Sequence, residues 1–522
     1  MIIYVNFTKS VFFFKNLCVI KKLAVILNFE QLSPSPILLN PLVLINHYPL
    51  SNLLIMKKLL LIICGAIIFL GAFAEVGDTF TKLSIKYMVT KEGTAGNEAA
   101  VTVQPANFSL TTVDIPDTVQ NGSTKYRVTS IDKKALTGNT TITSVTFKAN
   151  ITVGDSAFVG CTNLKTITNS EKLKTVGKFA FAQTAVTDVN LTNAASIGEQ
   201  AFAGCKALTQ ATIGASTGTI PYGLFYGCSA LQTVSISDEN KACTSIGENA
   251  FYECRLLNTI DLSKLMCLTS IGNDAFYDCA IRTVALPNSM TTIGYQTFYL
   301  CKSLSSLSFG SGLQTIGNQA FYGCTALTEV NIPASVTSVG KSAFEGCSSI
   351  KNAVICSGNG SNNAPPSRAD AGATIGNQAF YDCDALQTVV LGSTVTSIED
   401  KCFNTDNKQA LMNVYSNNPT PPTLGSYVFY GKNSDCQLHV PAGSEAAYNS
   451  STWGEVFGGH IITGIDNINV DDNSNSLQGI SEAGPNGAVR YFDLCGKPVR
   501  DISAPGLYIR QCGNKASKVL VK

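Results

Sequence analysis

A motif of about 23 residues recurs along most of this 522-residue chain and sharply limits the folds it can adopt. In the copy Ile316–Ile332, IGNQAFYGCTALTEVNI, Gly follows Ile, Ala precedes Phe, and Cys comes three residues after the Phe. Successive marker Phe residues are 21 to 26 residues apart, except for one gap of 36. These markers are Phe158, Phe181, Phe202, Phe225, Phe251, Phe276, Phe298, Phe321, Phe344, Phe380 and Phe403. Such a period indicates small stacked units, because one unit cannot bury its own apolar face.

Each copy predicts two short strands and no long helix. Val330 and Ile332 alternate with polar Asn331, the period of a half-buried strand. Thr337–Val339 predicts a second short extended segment, and the Gly after it suits a turn with unusual backbone angles. No window of ten or more residues sustains a 3.6-residue apolar period. At most, a single helical or 3₁₀ turn is expected around the Ala-Phe pair.

Stacking such copies predicts a β-rich solenoid. Equivalent strands would pair in parallel about 4.8 Å apart, so that the marker Phe rings form an internal column. Upstream, Leu136 takes the place of the Phe, and downstream Phe429 begins the motif again. The sequence thus predicts about 13 coils with a ~23-residue period, an N-terminal β cap and a small C-terminal β domain.

The repeated motif I-G-x-x-A-F-x-x-C-x-x-L-x-x-V-x-I-P resembles that of BspA-type leucine-rich-repeat proteins. The resemblance covers roughly residues 78–463, and Asp114–Ile131 resembles the β-rich lead-in of that family. The chain departs from the motif at Thr184 in place of Cys, Glu399 in place of Gly and Cys402 in place of Ala. The resemblance implies a leucine-rich-repeat solenoid exported to a bacterial surface, where it binds host matrix proteins or other cells.

The first 74 residues predict export. Two lysines, the apolar run Leu59–Leu70 and an A-x-A site ending at Ala74 form a secretory signal peptide over residues 56–74. Residues 1–55 are then interpreted as an upstream extension that is not native. The rival interpretation is a membrane anchor at Val11–Phe29, but lysines interrupt it, and a span needs about 20 apolar residues. No stable membrane span is expected after signal cleavage.

The remaining boundaries follow from changes in composition. Residues 75–130 are predicted as the N-terminal β cap and residues 131–463 as the solenoid with a C-terminal cap. Residues 464–485, rich in Asn, Asp, Ser and Gly, form a linker. Residues 486–522 predict three strands and resemble the C-terminal sorting domain of type IX secretion cargo. That resemblance implies contact with the secretion machinery and display on the outer cell surface; the alternative is a small β-sandwich cap.

Composition and motifs argue against several functions. Charged residues are 14% of the chain and the formal net charge is +1, so there is no basic excess for nucleic acid and no acidic excess for calcium or cationic partners. Neither a nucleotide-binding loop, a metalloprotease motif nor a nucleophile elbow occurs in the sequence. We therefore expect no enzyme activity, no catalytic residue, no cofactor and no metal.

His439, on the last repeat strand, is expected to face solvent.

Half of the 18 cysteines share one offset in the repeat. These nine are Cys161, Cys205, Cys228, Cys254, Cys279, Cys301, Cys324, Cys347 and Cys383. We predict a structural ladder of buried thiols that donate weakly to turn carbonyls. Scattered disulfides are an alternative, although side chains in register point the same way, which disfavours the disulfide dihedral angle. Zinc is disfavoured because the chain has no CxxC pair.

The candidate binding residues are aromatic and charged. Tyr follows the marker Phe in several coils and is predicted to form an outward column that binds proteins or glycans of a host or neighbouring cell. The inserted segment 357–373 adds Arg368 and Asp370 as charged contacts of a protruding loop, or is a disordered bulge. The tyrosines are Tyr226, Tyr252, Tyr277, Tyr299, Tyr322, Tyr381 and Tyr430. Alternatively their rings pack on each other and only shield the turns.

The predicted function is therefore a secreted, non-enzymatic adhesion protein of the cell surface. One alternative is a carbohydrate-capturing module, which an exposed and flat tyrosine column would favour. Another is a structural spacer of a surface layer, which would present a polar face without a ligand.

Overall fold

A computed structural model of the chain describes residues 75–92, 99–104, 109–237, 242–357, 372–405 and 410–463. In the C-terminal tail it describes the backbone of residues 489–492, 498–499, 506–512 and 515–521. The predicted upstream extension, signal peptide and linker, together with Arg368 and Asp370, lie outside the described residues. Residues 109–463, with their gaps, form the predicted parallel β-solenoid, in which every coil contributes to two strand faces.

Face 1 is built from the short strand that precedes the Gly of most repeats. Its strands pair in parallel within two sheets, which contain four and nine of these strands. Within the described residues it has thirteen strands, whereas the solenoid as a whole has about 15 turns, somewhat more than the 13 coils predicted. The strands are β6 Thr124–Ile131, β8 Ile151–Val153, β10 Leu173–Val176, β12 Ser196–Ile197, β14 Thr219–Ile220, β16 Ser245–Ile246, β18 Ser270–Ile271, β20 Thr292–Ile293, β22 Thr315–Ile316, β24 Ser338–Val339, β26 Ala373–Ile375, β28 Val395–Ile398 and β30 Thr423–Leu424.

Face 2 is built from the strand that follows the Leu of each repeat, and all of its pairings are parallel. The described part of the chain has fifteen such strands, because one is added at each end. They are β4 Thr112–Ile115, β7 Ser144–Phe147, β9 Thr166–Thr168, β11 Asp188–Leu191, β13 Gln210–Ile213, β15 Thr233–Ile236, β17 Thr259–Ile260, β19 Thr283–Ala285, β21 Ser306–Ser308, β23 Glu329–Pro333, β25 Asn352–Ser357, β27 Thr388–Leu391, β29 Asn413–Ser416, β31 Gln437–Val440 and β32 Ile461–Thr463.

The ends of the solenoid differ from its coils. At the N-terminal end, strands β1 (Thr79–Lys82), β2 (Ile85–Lys91) and β3 (Ala99–Val103) extend face 1, and β5 (Thr118–Asn121) forms a hairpin with β6. At the C-terminal end lie two short helices, α1 (Glu445–Asn449) and α2 (Thr452–Phe457). The described residues also include 3₁₀ helices at Ser170–Lys172 and Leu262–Lys264. The tail strands are β33 Val489–Phe492, β34 Pro498–Val499, β35 Gly506–Cys512 and β36 Lys515–Val521, paired antiparallel in the order β34-β33-β35-β36.

The core is the predicted column of phenylalanine rings. From Phe158 to Phe429 each ring stacks on the next, with centroids 4.9 to 5.9 Å apart. All of these rings are buried. At the C-terminal end, Trp453 and Phe457 of α2 pack on Phe429, and Trp453 donates its indole N–H to the carbonyl of Pro422 at 2.8 Å. Helix α2 therefore shields the last ring of the column from water.

The marker Phe is held in a run of tight turns instead of a helical turn. In each coil, a residue with positive φ precedes the marker by two positions, such as Gln296 (φ 50°) and Gln319 (φ 55°). The amide of each marker Phe then bonds across coils, as from Phe321 to the carbonyl of Ala343 at 2.7 Å. The described coils have no helical turn around the Ala-Phe pair, where the sequence allowed at most one, because these turns direct backbone hydrogen bonds to the neighbouring coil.

The Gly that follows most face 1 strands is required for close approach. At Gly340 a Cβ atom would lie 2.5 Å from the amide nitrogen of Asn318 in the preceding coil, and Gly317 and Gly198 meet similar backbone contacts. None of these three has a left-handed φ. The predicted unusual backbone angles are therefore wrong here: the corner of one coil rests directly on the corner of the coil before it.

Face 1 presents a row of hydroxyl groups in each of its two sheets, with a break between β12 and β14. The residue before the last Ile, Val or Leu of each strand is Ser or Thr, and these residues pair in register between adjacent strands of each sheet. They are Ser130, Thr152, Thr175, Ser196, Thr219, Ser245, Ser270, Thr292, Thr315, Ser338, Thr374, Ser397 and Thr423. The row is uncharged and partly to fully exposed. Thr also fits a half-buried pleated surface well.

Candidate binding surface

The best candidate for a binding surface lies on the turns that carry the marker Phe residues. There, five tyrosines form a continuous stack on the solvent side, which we name the tyrosine column. Its members are Tyr226, Tyr252, Tyr277, Tyr299 and Tyr322, with centroids 4.7 to 5.0 Å apart and interplanar angles of 4 to 18°. Tyr226 is 39% exposed and the other four are half-buried. The column is thus a second aromatic stack, formed by the residues that directly follow the buried marker Phe residues in the chain.

Stacking decides which part of each ring is presented. Because neighbouring rings lie face to face, both faces of the three central tyrosines are covered by other rings. What remains for a partner is a row of ring edges and phenol groups, repeated once per coil. Each aromatic pair contributes about 0.5 to 1.5 kcal/mol beyond its buried area, so the stack also pre-organises the surface.

The other candidates do not join the column. Glu345 follows Phe344 in the next coil, so Tyr381 is separated from Tyr322 by a position without an aromatic ring. Tyr430 lies further along the solenoid, is exposed, and contacts Tyr427 edge to face at 6.1 Å. Five of the seven predicted tyrosines are therefore brought together. Arg368 and Asp370 lie outside the described residues, so their predicted contacts stay predictions.

Carboxylates border the tyrosine column, and sequence reasoning did not single them out. Burial raises the pKa of Tyr252, and the nearby phenol of Tyr277 and carboxylate of Glu253 raise it further. Burial also raises the pKa of Tyr322, with a contribution from Glu345. Glu253 and Asp278 share one offset, two residues after the marker Phe, so aligning the repeats could have found them, whereas Glu248 and Asp274 lie at different offsets. Two exposed tyrosines three residues before a marker, Tyr222 and Tyr295, were likewise missed.

The cysteine ladder has the predicted structure. Each of the nine aligned thiols donates to a carbonyl of the preceding coil, as from Cys301 to Phe276 at 3.2 Å and from Cys324 to Phe298 at 3.3 Å. Where Thr184 replaces Cys, its hydroxyl donates to the carbonyl of Phe181 at 2.8 Å. The fourteen cysteines with described side chains are free thiols. The ladder therefore stabilises turns and is shielded from solvent.

Thiol reactivity should separate buried from exposed cysteines. Burial raises the pKa of Cys301 to about 12, whereas Cys267 is exposed. Because the thiolate is the nucleophile, a disulfide reagent such as Ellman's reagent should modify Cys267 in the folded protein and leave Cys301 unmodified until unfolding. We expect Cys267→Ser to remove one fast-reacting thiol and Cys301→Ser to remove none. Fast modification of Cys301 in the native state would contradict the buried ladder.

His439 lies on the outward side of β31 but does not face water as expected. Its ring stacks on Tyr415 at 4.3 Å, and its Nε2 is 3.1 Å from the amide oxygen of Asn413. Tyr415 belongs to a small buried cluster with Val354 and Val390. This burial lowers the pKa of His439 to about 4. The solvent-facing expectation is therefore wrong, because the alternation that points a side chain outward does not determine what packs over it.

His439 predicts a pH-dependent stability. Its pKa is about 4 when folded and about 6.5 when unfolded, so between these values the unfolded chain binds more protons. The neutral ring stabilises the fold fully above about pH 6.5, and about 2.5 kcal/mol of this stabilisation is lost between pH 7.5 and pH 4.5. Urea denaturation at pH 7.5 and pH 4.5 should show this loss in the wild type. In His439→Gln the loss should be smaller by that amount, and an equal loss in both would contradict the assignment.

The described residues contain neither a cluster of three or more metal-ligating side chains nor a helix long and apolar enough to cross a membrane.

The repeats also match a known family. The family model for the BspA type Leucine rich repeat region matches residues 129–243, 219–351 and 369–452, in six copies. These ranges cover more than half of the chain. The chain belongs to the BspA-type leucine-rich-repeat family. Members of this family are typically cell-surface proteins, and the leucine-rich-repeat solenoid is a non-enzymatic binding scaffold with no catalytic family indicated.

Solved structures of similar proteins come from several bacteria. A leucine-rich-repeat protein from Bacteroides ovatus is 22% identical, covering 74% of this chain and 98% of its own, with a TM-score of 0.47. A leucine-rich cell surface protein from Faecalibacterium prausnitzii is 22% identical, covering 66% and 95%, with a TM-score of 0.35. The pneumococcal vaccine antigen PcpA is 17% identical, covering 75% and 98%, with a TM-score of 0.35. A comparison with curated proteins gives no match.

Proposed function

We propose that this BspA-type protein is secreted to the outer cell surface and binds host matrix proteins or other cells through its tyrosine column. The observation that carries the proposal is the stack of five tyrosines on the solvent side of consecutive coils. Tyrosine combines a large contact area with a polar end, and aromatic residues dominate binding energy in protein interfaces. A rigid row of such residues supplies many similar contacts with little loss of side-chain entropy on binding.

The geometry favours a protein partner over a glycan. Sugars that stack on aromatic side chains need an open ring face, and the faces of the central tyrosines are covered by their neighbours. Ring edges and phenol groups, in contrast, suit the mixed apolar and hydrogen-bonding surface of a polypeptide. The hydroxyl row of face 1 is polar and uncharged, and it is the surface that a purely structural spacer would present.

Binding assays with matched variants test this function. The purified full-length chain would be applied to a panel of immobilised matrix proteins and to a glycan array. In the triple variant Tyr252→Ser, Tyr277→Ser, Tyr299→Ser, we expect at least about tenfold weaker binding to a protein ligand, since each interface tyrosine contributes about 1 kcal/mol or more. The control Tyr427→Ser, Tyr430→Ser removes two exposed tyrosines outside the column and should bind normally.

Three results would refute this function: binding to glycans alone, binding to neither array, or equal protein binding by the triple variant and the wild type. Circular dichroism of each variant would show that the solenoid remains folded. The second result would favour the spacer.

Surface display would depend on the C-terminal tail. This part of the proposal is supported by the resemblance of the tail to a type IX sorting domain. Deleting Val489–Lys522 should leave the protein inside the cell, measured by antibody labelling of intact cells. Deleting only residues 464–485 is the matched control, because it shortens the chain but keeps the tail, and display should persist. Normal display without the tail would refute the sorting role.

A further inference from the structure

Carboxylates line the tyrosine column on both sides. Glu253 and Asp278 come directly after Tyr252 and Tyr277 in sequence. On the other side, Glu248 and Asp274 precede the marker Phe of the same two coils. All four are partly or fully exposed. Although the whole chain has a formal net charge of only +1, residues 247–256 and 272–281 contain these four carboxylates and one base, Arg255.

Arg255 shows how a guanidinium group fits this surface. Its Nη2 lies 3.0 Å from a carboxylate oxygen of Glu253, and its Nε lies 2.9 Å from Asp278 in the next coil. One guanidinium group therefore bridges carboxylates of two consecutive coils beside the tyrosines. The repeat spacing sets that geometry, because equivalent positions in adjacent coils lie about 4.8 Å apart.

The carboxylates on the other side have no such base. Within the described residues, no ion pair joins Glu248 or Asp274 to a Lys or Arg. The amide of Asn249 donates to the carbonyl of Asn273 in the next coil at 3.0 Å, which places Glu248 and Asp274 in adjoining positions. Burial raises the pKa of Asp274, and the neighbouring charge of Glu248 raises it further, so the two carboxylates repel each other. A cation placed between them would remove this repulsion. Glu345 continues the acidic border beyond Tyr322, the last ring of the column.

We propose that the tyrosine column and its bordering carboxylates bind a Lys- or Arg-rich segment of a partner protein. The partner's cationic groups would bridge Glu248 and Asp274 as Arg255 bridges Glu253 and Asp278, while its methylene groups pack on the tyrosine ring edges. Polyanions such as sulfated glycans are repelled by the same carboxylates. This inference rests on the proposed function and adds the chemical class of the partner.

Synthetic peptides provide the test. The column spans about 20 Å at about 4.8 Å per coil, which about six extended residues cover, so peptides of about eight residues suffice. Fluorescence anisotropy would compare binding of the full-length protein to three labelled peptides: alternating Arg and Gly, alternating Glu and Gly, and alternating Ser and Gly. We expect the Arg peptide to bind, the Glu peptide not to bind, and the affinity for the Arg peptide to fall between about 50 and 500 mM salt.

Charge-removing variants locate the site. Glu248→Gln, Asp274→Asn keeps the shape of both side chains, and we expect about tenfold weaker binding of the Arg peptide. The matched control Asp188→Asn, Glu329→Gln removes the same charge from exposed positions on face 2 and should bind like the wild type. Equal affinity for the Arg peptide in both double variants would overturn the inference, because attraction would then be non-specific.

The outcomes also separate this inference from the proposed function. If a matrix protein binds through the tyrosines and Glu248→Gln, Asp274→Asn leaves that binding unchanged, the charge-based inference fails while the function stands. If the Ser and Arg peptides bind equally, the inference also fails. If neither peptides nor matrix proteins bind, both fail.

Discussion

Replacing Phe181 with Ala is expected to lower the free energy of unfolding by about 3 to 5 kcal/mol, the usual effect of removing a fully buried aromatic ring. Phe181 has 0% exposure and stacks on Phe158 at 5.0 Å and on Phe202 at 5.3 Å. Its loss would leave a cavity in the column and remove two ring contacts at once. Because coils in a solenoid contact mainly their neighbours, the damage should concentrate around this coil.

The control for this prediction lies two residues away. Phe179 is 38% exposed, so Phe179→Ala should change the free energy of unfolding by at most about 0.5 kcal/mol. Both variants would be compared by urea denaturation, with hydrogen exchange to locate the weakened coils. Similar losses for the two variants would mean that burial in the column does not determine the contribution of a Phe.

Gly340→Ala is expected to destabilise the solenoid by about 3 kcal/mol or more, although it adds a single methyl group. The new Cβ would lie 2.5 Å from the amide nitrogen of Asn318 and 2.6 Å from the carbonyl carbon of Gly317. Both contacts are with the backbone of the preceding coil, which cannot move without disturbing the hydrogen bonds of face 1. The substitution should therefore separate two coils locally.

Gly218 is the matched control, since a Cβ there would have no atom within 4 Å and its φ is not left-handed. Gly218→Ala should be neutral or stabilise the protein by up to about 1 kcal/mol, because it restricts the unfolded chain. Thermal denaturation of both variants would measure the difference. A stable Gly340→Ala variant would show that close coil contact does not explain the glycine.

Contacts between residues at the same offset from the marker Phe in successive repeats could be predicted from the sequence. Contacts between residues at different offsets could not. The Phe column and the thiol ladder follow from stacking equivalent residues in register. The contact between Glu248 and Asp274 does not follow from such stacking. Glu248 lies three residues before the marker Phe of its coil, whereas Asp274 lies two residues before the marker Phe of the next. The sequence predicted unusual backbone angles for the Gly after each face 1 strand, but the reason is close contact between coils. One copy of the motif contains no information about that contact.

The sequence by itself determined the solenoid: a short apolar period repeated many times can bury its residues only by stacking identical units, and this fixes the family, the two strand faces and the buried column. Only the tertiary structure decided the character of the candidate surface. Whether outward tyrosines present faces or edges depends on the offset between coils, and whether a strand histidine meets water depends on what packs over it. Both depend on contacts between separate coils, which a single repeat motif does not encode.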